Sequence, residues 1–368
     1  MAETNYEITS GDRERHVAAL KFPYKPSNPK SYKPKIGLLG CGGITETHLT
    51  AYRAAGYDVV ALCDKVQERA ESRRSKFFPN ATVYTDSRAV LDRKDIEVVD
   101  IATHPEDRVE LIELALRSEK HVLSQKPFVT DLNTGERLVS LAEEMGRRLA
   151  VNQNGRWSPH FSYMRQAIQA GVIGDVLGAH LAVHWNHDWV AGTPFDKIKH
   201  VILYDFAIHW FDILCCFMGD RPALSVFASE MNAKGQASKP ALLAQTLVEY
   251  DGAQATMVFD GFTRYGTLDN AIITGTKGTI YSTGPDLGRH KVTVTTPLGS
   301  SSPSLEGSWF PDGFHGSMGE LLCAIEENRE PGNSAKNNLK SLALCFAALR
   351  SAETSQLQIP GLVRSVTP

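Results

Sequence analysis

Lys35-Ile36-Gly37-Leu38-Leu39-Gly40-Cys41-Gly42-Gly43-Ile44 is a short apolar run that ends in closely spaced glycines. The run has the length and character of a strand, and Ile44, His48, Tyr52 and Ala55 then recur at helical spacing until Gly56 offers a stop. Strand, glycine turn and helix stand in the order a dinucleotide site requires. Gly40 permits the tight turn, Gly42 lets the backbone approach a pyrophosphate, and the phosphate then sits at the positive end of the helix. Thr45 occupies the place of the fingerprint's third glycine, so helix and strand must pack around a β-branched side chain. Asp64 ends a second apolar run, Val59 to Cys63, about twenty residues past the glycines, where a ribose-binding carboxylate belongs. A carboxylate there accepts from ribose hydroxyls and repels a 2′-phosphate, which favours NAD, while Lys65 beside it leaves NADP open.

Outward from this stretch, strand and helix alternate from Lys35 to Val151, the pattern of a parallel sheet with helices on both faces. The expected strands are Lys35 to Gly40, Val59 to Cys63, Thr82 to Tyr84, Val98 to Ala102, His121 to Ser124 and Leu149 to Val151. Between them, Glu106 to Arg117 reads as a helix with an apolar stripe at Val109, Ile112 and Leu116. Ligands bind such sheets beyond the carboxyl ends of the strands. That edge carries Gly40 to Ile44, Asp64, Thr103-His104-Pro105 and Gln125-Lys126-Pro127.

Beyond Asn154 the texture changes. Val176 to Trp185, Leu242 to Tyr250, Gln254 to Phe259, Asn270 to Thr274 and Thr279 to Ser282 read as strands of a mostly antiparallel sheet. Hairpin signals stand at Asp251-Gly252 and Thr276-Lys277-Gly278, and Gly284 to Ser308 reads as a long excursion. Helices at Ser317 to Asn328 and Leu339 to Gln356 close the chain. The reading is therefore an α/β protein in three parts: an arm (1–34), a Rossmann dinucleotide-binding domain (35–153), and an α+β domain with a large, open, mostly antiparallel sheet (154–368) for substrate and oligomerisation. The arm holds a short helical candidate, Asp12 to Leu20, then an extended segment with Pro23, Pro26, Pro29 and Pro34 that cannot join a sheet interior. It is either a disordered leader or a strap across another subunit.

A chain of 368 residues exceeds a comfortable single core. Its formal charge of -3 comes with interspersed signs, which argues against nucleic acid and membrane surfaces as partners. No run is long enough to span a bilayer, and Met1 to Leu20 lacks a signal-peptide core. The six cysteines show no CxxC or secreted spacing, so they read as reduced thiols of a cytoplasmic protein.

Lys126 would project at the sheet edge where the nicotinamide belongs, able to hold a substrate oxygen or pass a proton; the plainer reading is a surface lysine in a strand-to-helix turn. Within the buried helix expected at Leu203 to Leu214, Asp205 and His209 are four apart and share a face, with Asp212 one turn further on. An imidazole takes a hydroxyl proton while hydride leaves the same carbon, and a carboxylate orients the ring. The plainer reading is a helix cap at Asp205 and a satisfied core histidine. His180, His184, His187 and Asp188 form a possible metal cluster, but their spacing does not make them converge and no metal is expected. Trp157, Trp185, His187 and Trp189 suggest an aromatic wall for a sugar ring or simple packing, and Arg264 or Tyr265 could reach the same pocket.

The order of these signals resembles the glucose-fructose oxidoreductase, inositol dehydrogenase and rhizopine-catabolism family, Gfo/Idh/MocA, from about Lys35 to about Gln356. The matching pieces are GCGGITETH (Gly40 to His48), Asp64, Thr103, KHVLSQKP (Lys120 to Pro127), NGRWSP (Asn154 to Pro159), GVIGDV (Gly171 to Val176), DFAIHWFD (Asp205 to Asp212) and GTKGTI (Gly275 to Ile280). The resemblance implies a Rossmann domain that binds NAD or NADP, a second domain with an open sheet, and a homo-oligomer, dimer or tetramer, formed through that sheet. It puts a hydride-transfer site on Lys126, Asp205 and His209. It adds Gly40, Cys41, Gly42, Gly43, Ile44, Asp64, Thr103, His104, Pro105, Gln125, Lys126 and Asn154 toward the cofactor. Arg156, Trp157, Trp185, His187, Arg264 and Tyr265 are the substrate candidates.

Three departures stand out: Gln125 where the family has Glu, Arg108 where a histidine is common, and Lys197 to Ile202 in place of a glycine-rich lead. The expected function is oxidation of a secondary hydroxyl of a sugar, glycoside or cyclitol, or the reverse reduction. The alternatives are glycoside cleavage by oxidation and elimination with NAD recycled, and a non-catalytic NAD- or sugar-sensing regulator.

Overall fold

The computed structural model describes residues 15–367. The first sheet contains β1 (Lys35–Leu39), β2 (Asp58–Cys63), β3 (Thr82–Tyr84), β4 (Ile96–Ile101), β5 (His121–Ser124) and β6 (Leu149–Val151), ordered β3-β2-β1-β4-β5-β6 and all parallel. Its connecting helices are α1 (Thr45–Ala55), α2 (Gln67–Phe77), α3 (Ser87–Leu91), α4 (Pro105–Arg117) and α5 (Leu132–Glu144). The strand order reverses between β1 and β4, which places the ligand crevice at their carboxyl ends. Each expected strand forms, because runs such as Ile36 to Leu39 are free of charge and are covered on both faces.

A helical and irregular stretch follows, including α6 (Pro159–Gln169) and α7 (Ile208–Met218). The second sheet contains β7 (Val176–His184), β8 (Ala223–Met231), β9 (Leu243–Tyr250), β10 (Ala253–Asp260), β11 (Leu268–Gly275), β12 (Gly278–Asp286), β13 (Arg289–Thr296) and β14 (Gly299–Ser301). Its order is β14-β13-β12-β11-β7-β10-β9-β8, antiparallel except for the parallel pair β7 and β10. The expected excursion at Gly284 to Ser308 is instead mostly sheet: β12 runs on to Asp286, and β13 and β14 continue it. Val292 and Val294 supply the inward face of β13, an alternation diluted in the sequence by Gly, Ser and Pro nearby. The inward residues of the sheet, such as Ala179, Leu181, Val183, Ala255, Met257, Phe259, Ala271 and Ile273, form a core with α7 and α9 (Ala335–Thr354).

The closing helices start earlier than expected, at Trp309 for α8 (Trp309–Glu326) and at Ala335 for α9. Phe314, Met318, Leu321 and Leu322 of α8 share one core cluster with Leu49 and Tyr52 of α1, so a helix late in the chain covers the first sheet.

Among the described residues, the proline-rich arm packs along its own chain. Arg15 to Leu20 is extended rather than helical, with the Val17 N–H donating to Ser300 O at 2.9 Å; residues 12–14 of the helical candidate lie outside the described residues. Phe22 and Tyr24 pack on the core, and the Tyr163 hydroxyl donates to Leu20 O. Glu326 accepts the backbone N–H groups of Lys30, Ser31 and Tyr32 at 2.7, 2.6 and 2.9 Å. These donors hold the Glu326 carboxyl down at about 2. A depressed carboxyl contributes stability above its ordinary value, lost as pH falls toward the lowered one. Arm amides are therefore expected to lose hydrogen-exchange protection as pH drops from 4.5 toward about 2. Glu326→Ala should expose the arm to trypsin at the Lys30–Ser31 bond at neutral pH; unchanged cleavage would contradict this anchoring role.

Candidate active site

Gly40 follows β1 with φ of +92°, and a Cβ there would stand 2.9 Å from the Ala102 backbone, so turn and strand approach as only glycine allows. Over Gly42 and Gly43 an added Cβ would meet nothing within 4 Å. The amides of Gly42, Gly43 and Ile44 donate to nothing among the described residues, and Ile44, just before α1, provides no side-chain cap. Consecutive unclaimed N–H groups at a helix N-terminus beneath open space fit a pyrophosphate. Asp64 ends β2 and accepts from the Cys41 N–H at 2.8 Å and the Val66 N–H at 2.9 Å, which fixes the glycine turn against β2. The loop residues expected toward the cofactor thus lie together at one crevice, with Thr103, His104 and Pro105 following β4 and Gln125 and Lys126 following β5.

Gln125 faces inward. Its amide Nε2 is 3.2 Å from His48 Nε2, its Oε1 accepts the Lys126 N–H at 2.7 Å, and His48 Nδ1 meets Asp100 Oδ2 at 2.7 Å. Tyr52 donates to the same Asp100 oxygen at 2.6 Å, and Asn152 Nδ2 reaches His48 Nε2 at 3.3 Å. A glutamine can donate to the ring nitrogen that Asp100 leaves as acceptor, and a carboxylate in its place could not. The departure at Gln125 is therefore part of a buried polar network that the sequence reading missed, because His48 looks there like one more helical-face residue. Arg108 is buried too. Its guanidinium donates to the carbonyls of Thr103 and Pro127, tying together the two loops that follow β4 and β5.

Lys126 crosses from the first sheet to the other half. Its Nζ donates to the Asp205 carbonyl at 2.7 Å and lies 3.2 Å from Asp205 Oδ1. The expected continuous α-helix at Leu203 to Leu214 is not formed. Val201–Phe206 is a π-helical turn, and α7 starts only at Ile208. The wider turn breaks the four-residue register, so the Asp205 carboxylate meets Lys126 instead of the His209 ring, and it caps no helix.

His209 stands edge-on to Trp309, at 5.5 Å between ring centroids and 83° between planes. Its Nδ1 is buried without a partner among the described residues. Burial, with the Lys126 cation adding to it, holds this imidazole well below its ordinary value. Lys126, from the first half, thus lies close enough to His209, on α7 of the second, for its charge to act on the ring.

The substrate candidates divide. Trp185 and His187 stack at 5.8 Å, His187 packs on Phe206 at 4.1 Å, and burial pushes His187 down to about 4 against the opposing pull of Asp205. Trp185 Nε1 and His187 Nδ1 have no partner among the described residues. Arg156 is committed elsewhere: it is 3% exposed and forks onto Asp212. Trp157 fills the space above Gly316 and lies under the Arg165 guanidinium. Arg264 is exposed over Phe262, and Tyr265, 90% exposed, projects into solvent. Asn154 is buried and accepts from Trp309 Nε1 at 2.7 Å, so it steadies the ring against which His209 stands.

The histidines weighed as a metal cluster diverge. His180 Nδ1 bonds Thr256 Oγ1 at 2.7 Å, His184 Nδ1 lies 3.9 Å from Asp260, and Asp188 accepts from Ala237 and Ser238.

Comparison with known proteins agrees with this architecture. Residues 34–153 match the model of an oxidoreductase family with an NAD-binding Rossmann fold, and residues 161–281 match the GFO/IDH/MocA C-terminal domain. A D-apiose dehydrogenase of Paraburkholderia graminis is 28% identical over 345 residues, covering 86% of this chain and 87% of that one. An inositol 2-dehydrogenase of Rhizobium meliloti is 28% identical over 336 residues, covering 88% and 99%. An oxidoreductase of Agrobacterium radiobacter, solved with NAD+, L-tartaric acid and magnesium, superposes with a TM-score of 0.79 at 24% identity, covering 90% and 99%, a likeness that bears on the fold. With one family's models matching both of its sheets in turn, this chain belongs to the Gfo/Idh/MocA oxidoreductases, whose first domain is an NAD-binding Rossmann fold.

Proposed function

We propose that the protein is an NAD-dependent dehydrogenase acting on a secondary hydroxyl of a sugar, glycoside or cyclitol, with Lys126 and His209 meeting over the reacting carbon. What supports this most directly is that an amine at the first sheet's edge lies close enough to act on the His209 imidazole of α7, whose Nδ1 has no partner among the described residues, while the amides of Gly42, Gly43 and Ile44 stand unclaimed. Bound there, NAD supplies the hydride acceptor.

His209 takes the hydroxyl proton on Nε2, since its ring is held neutral at physiological pH. Lys126 donates to the substrate oxygen, and Asp205 keeps that amine aimed by holding it with both a carbonyl and a carboxylate oxygen. Trp185 and His187 form a flat wall with unused polar edges, chemistry suited to a polyhydroxylated ring. The relatives named for D-apiose and inositol oxidation support that substrate class. Asp64 supports NAD over NADP through its carboxylate at the end of β2.

Purified protein given NAD and a panel of polyols, pentoses and glycosides is expected to accumulate NADH with at least one of them. Glycoside cleavage without net NADH would select the elimination reading, and tight NAD binding with no turnover would select the sensor.

A homo-oligomer through the second sheet is part of the same reading. The register aligns Phe227, Leu247, Thr256, His180, Ile272 and Tyr281 in one row across the outer face. Phe227, Leu247, Ile272 and Tyr281 are 43%, 37%, 42% and 38% exposed, an apolar strip that supports self-association. Phe227→Lys with Ile272→Lys is expected to shift light-scattering mass to that of a monomer; an unchanged mass would reject this face. All six cysteines are unpaired, which supports a reducing, cytoplasmic setting, and no helix among the described residues is long and apolar enough to cross a membrane.

A further inference from the structure

A second cluster lies apart from this site. His160 comes from α6, Asp269 from the start of β11 and His290 from β13, and one candidate ligand atom from each lies within 4.8 Å of the others. His160 is 2% exposed and Asp269 0%, and the His290 side chain is 3% exposed. Both Asp269 carboxylate oxygens, both His290 ring nitrogens and His160 Nε2 lack hydrogen-bond partners among the described residues. The nearest approach, His290 Nε2 to Asp269 Oδ2, is 3.6 Å, too long for a hydrogen bond.

Buried polar atoms are normally satisfied, and an unpaired buried carboxylate is especially costly. Five such atoms in one place, all but the protonated nitrogen of His290 able to donate lone pairs, call for an electrophile that accepts from several at once. The remaining nitrogen of His160, Nδ1, is 2.8 Å from Ser158 Oγ. That contact fixes the ring with Nε2 toward the cluster, as an outer partner does for a metal-binding histidine.

We propose that His160, Asp269 and His290 bind a divalent transition-metal ion of the zinc class, with a fourth position open to the adjoining cavity. Two imidazoles and a carboxylate are ligands of the right softness, and three protein ligands plus water is a common zinc set. The cavity, of about 490 Å³, has both histidines in its wall together with Leu287, Arg289 and Lys291.

The two imidazoles stack at 3.6 Å and 6°, so their lone pairs lie in separate, nearly parallel planes. Binding turns the His290 ring, which no hydrogen bond restrains, and contracts the cluster onto bonds of roughly 2.0–2.2 Å. The ion then joins α6 to β11 and β13. Phe161 and Trp309 separate the cluster from His209, through ring contacts of 4.1, 6.0 and 5.5 Å, so the inference does not rest on the proposed dehydrogenase chemistry.

The test uses the full, untagged chain, stripped with a chelator and titrated with cobalt(II). One equivalent is expected to produce the visible band of a four-coordinate ion, displaced by zinc chloride, and zinc should raise the melting temperature. Asp269→Asn and His290→Gln should abolish the band, and Ser158→Ala should weaken binding about tenfold while keeping the stoichiometry. His180→Ala with His184→Ala should leave the band unchanged. Circular dichroism identifies which variants are folded, and His290→Gln at the cavity wall decides should Asp269→Asn not fold. No band and no zinc-dependent stabilisation in the unaltered chain would overturn the proposal, as would a band of full strength in folded His290→Gln.

Discussion

Replacing His209 with alanine is expected to lower kcat by roughly 10²–10⁴-fold, the range for removing a positioned general base, while NAD still binds, since the amides of Gly42 to Ile44 are untouched. The pH dependence separates this role from a structural one. A base whose value lies well below 6.5 is deprotonated throughout the neutral range, so the wild-type rate should persist below pH 6.5 and fall only in more acidic solution. His209→Ala should lose that acidic limb along with the rate. A variant with full activity and an unchanged profile would remove His209 from the chemistry.

Asp212→Ala should be the most destabilising single change in the helical layer. Arg156 Nε and Nη2 meet the two Asp212 oxygens at 2.6 and 2.7 Å, with side chains 4% and 1% exposed. The same guanidinium donates to Gly332 O and, at 2.8 Å, to Asn337 Oδ1, while Ser341 donates to Asp212 at 3.3 Å. Burial opposes the charge on Arg156, but Asp212 outweighs it and raises the guanidinium above its ordinary value. Removing Asp212 leaves a buried cation unpaired, at a cost of about 3–5 kcal/mol. Replacing both partners, Arg156→Met with Asp212→Leu, should recover much of that loss, because no charge then remains to be desolvated. Urea unfolding of the two variants measures the difference. A loss below about 1 kcal/mol for Asp212→Ala would mean the pair is far better solvated than its burial implies.

The candidate site was legible in the sequence where local chemistry carries the message. Gly40 must turn, Gly42 must leave space, and Lys126 must follow a strand, and each of these depends on neighbours only a few residues away. Misreadings arose where distant segments decide. Arg156 looked available because its partner Asp212 belongs to another helix, and the arm looked loose because Glu326, which anchors it, is nearly three hundred residues further along. Asp205 and His209 were paired by a helical period that the π-turn interrupts. Nothing in their spacing signals that turn.

The order of apolar runs and glycines by itself determined the two-sheet architecture and the nucleotide crevice, because strand alternation and turn geometry are short-range properties of the chain. Tertiary structure alone decided that Asp205 holds Lys126, that Gln125 belongs to the His48 network, and that His160, Asp269 and His290 meet. Each of these depends on desolvation and on the convergence of side chains from remote elements, and those forces act only after the chain has folded.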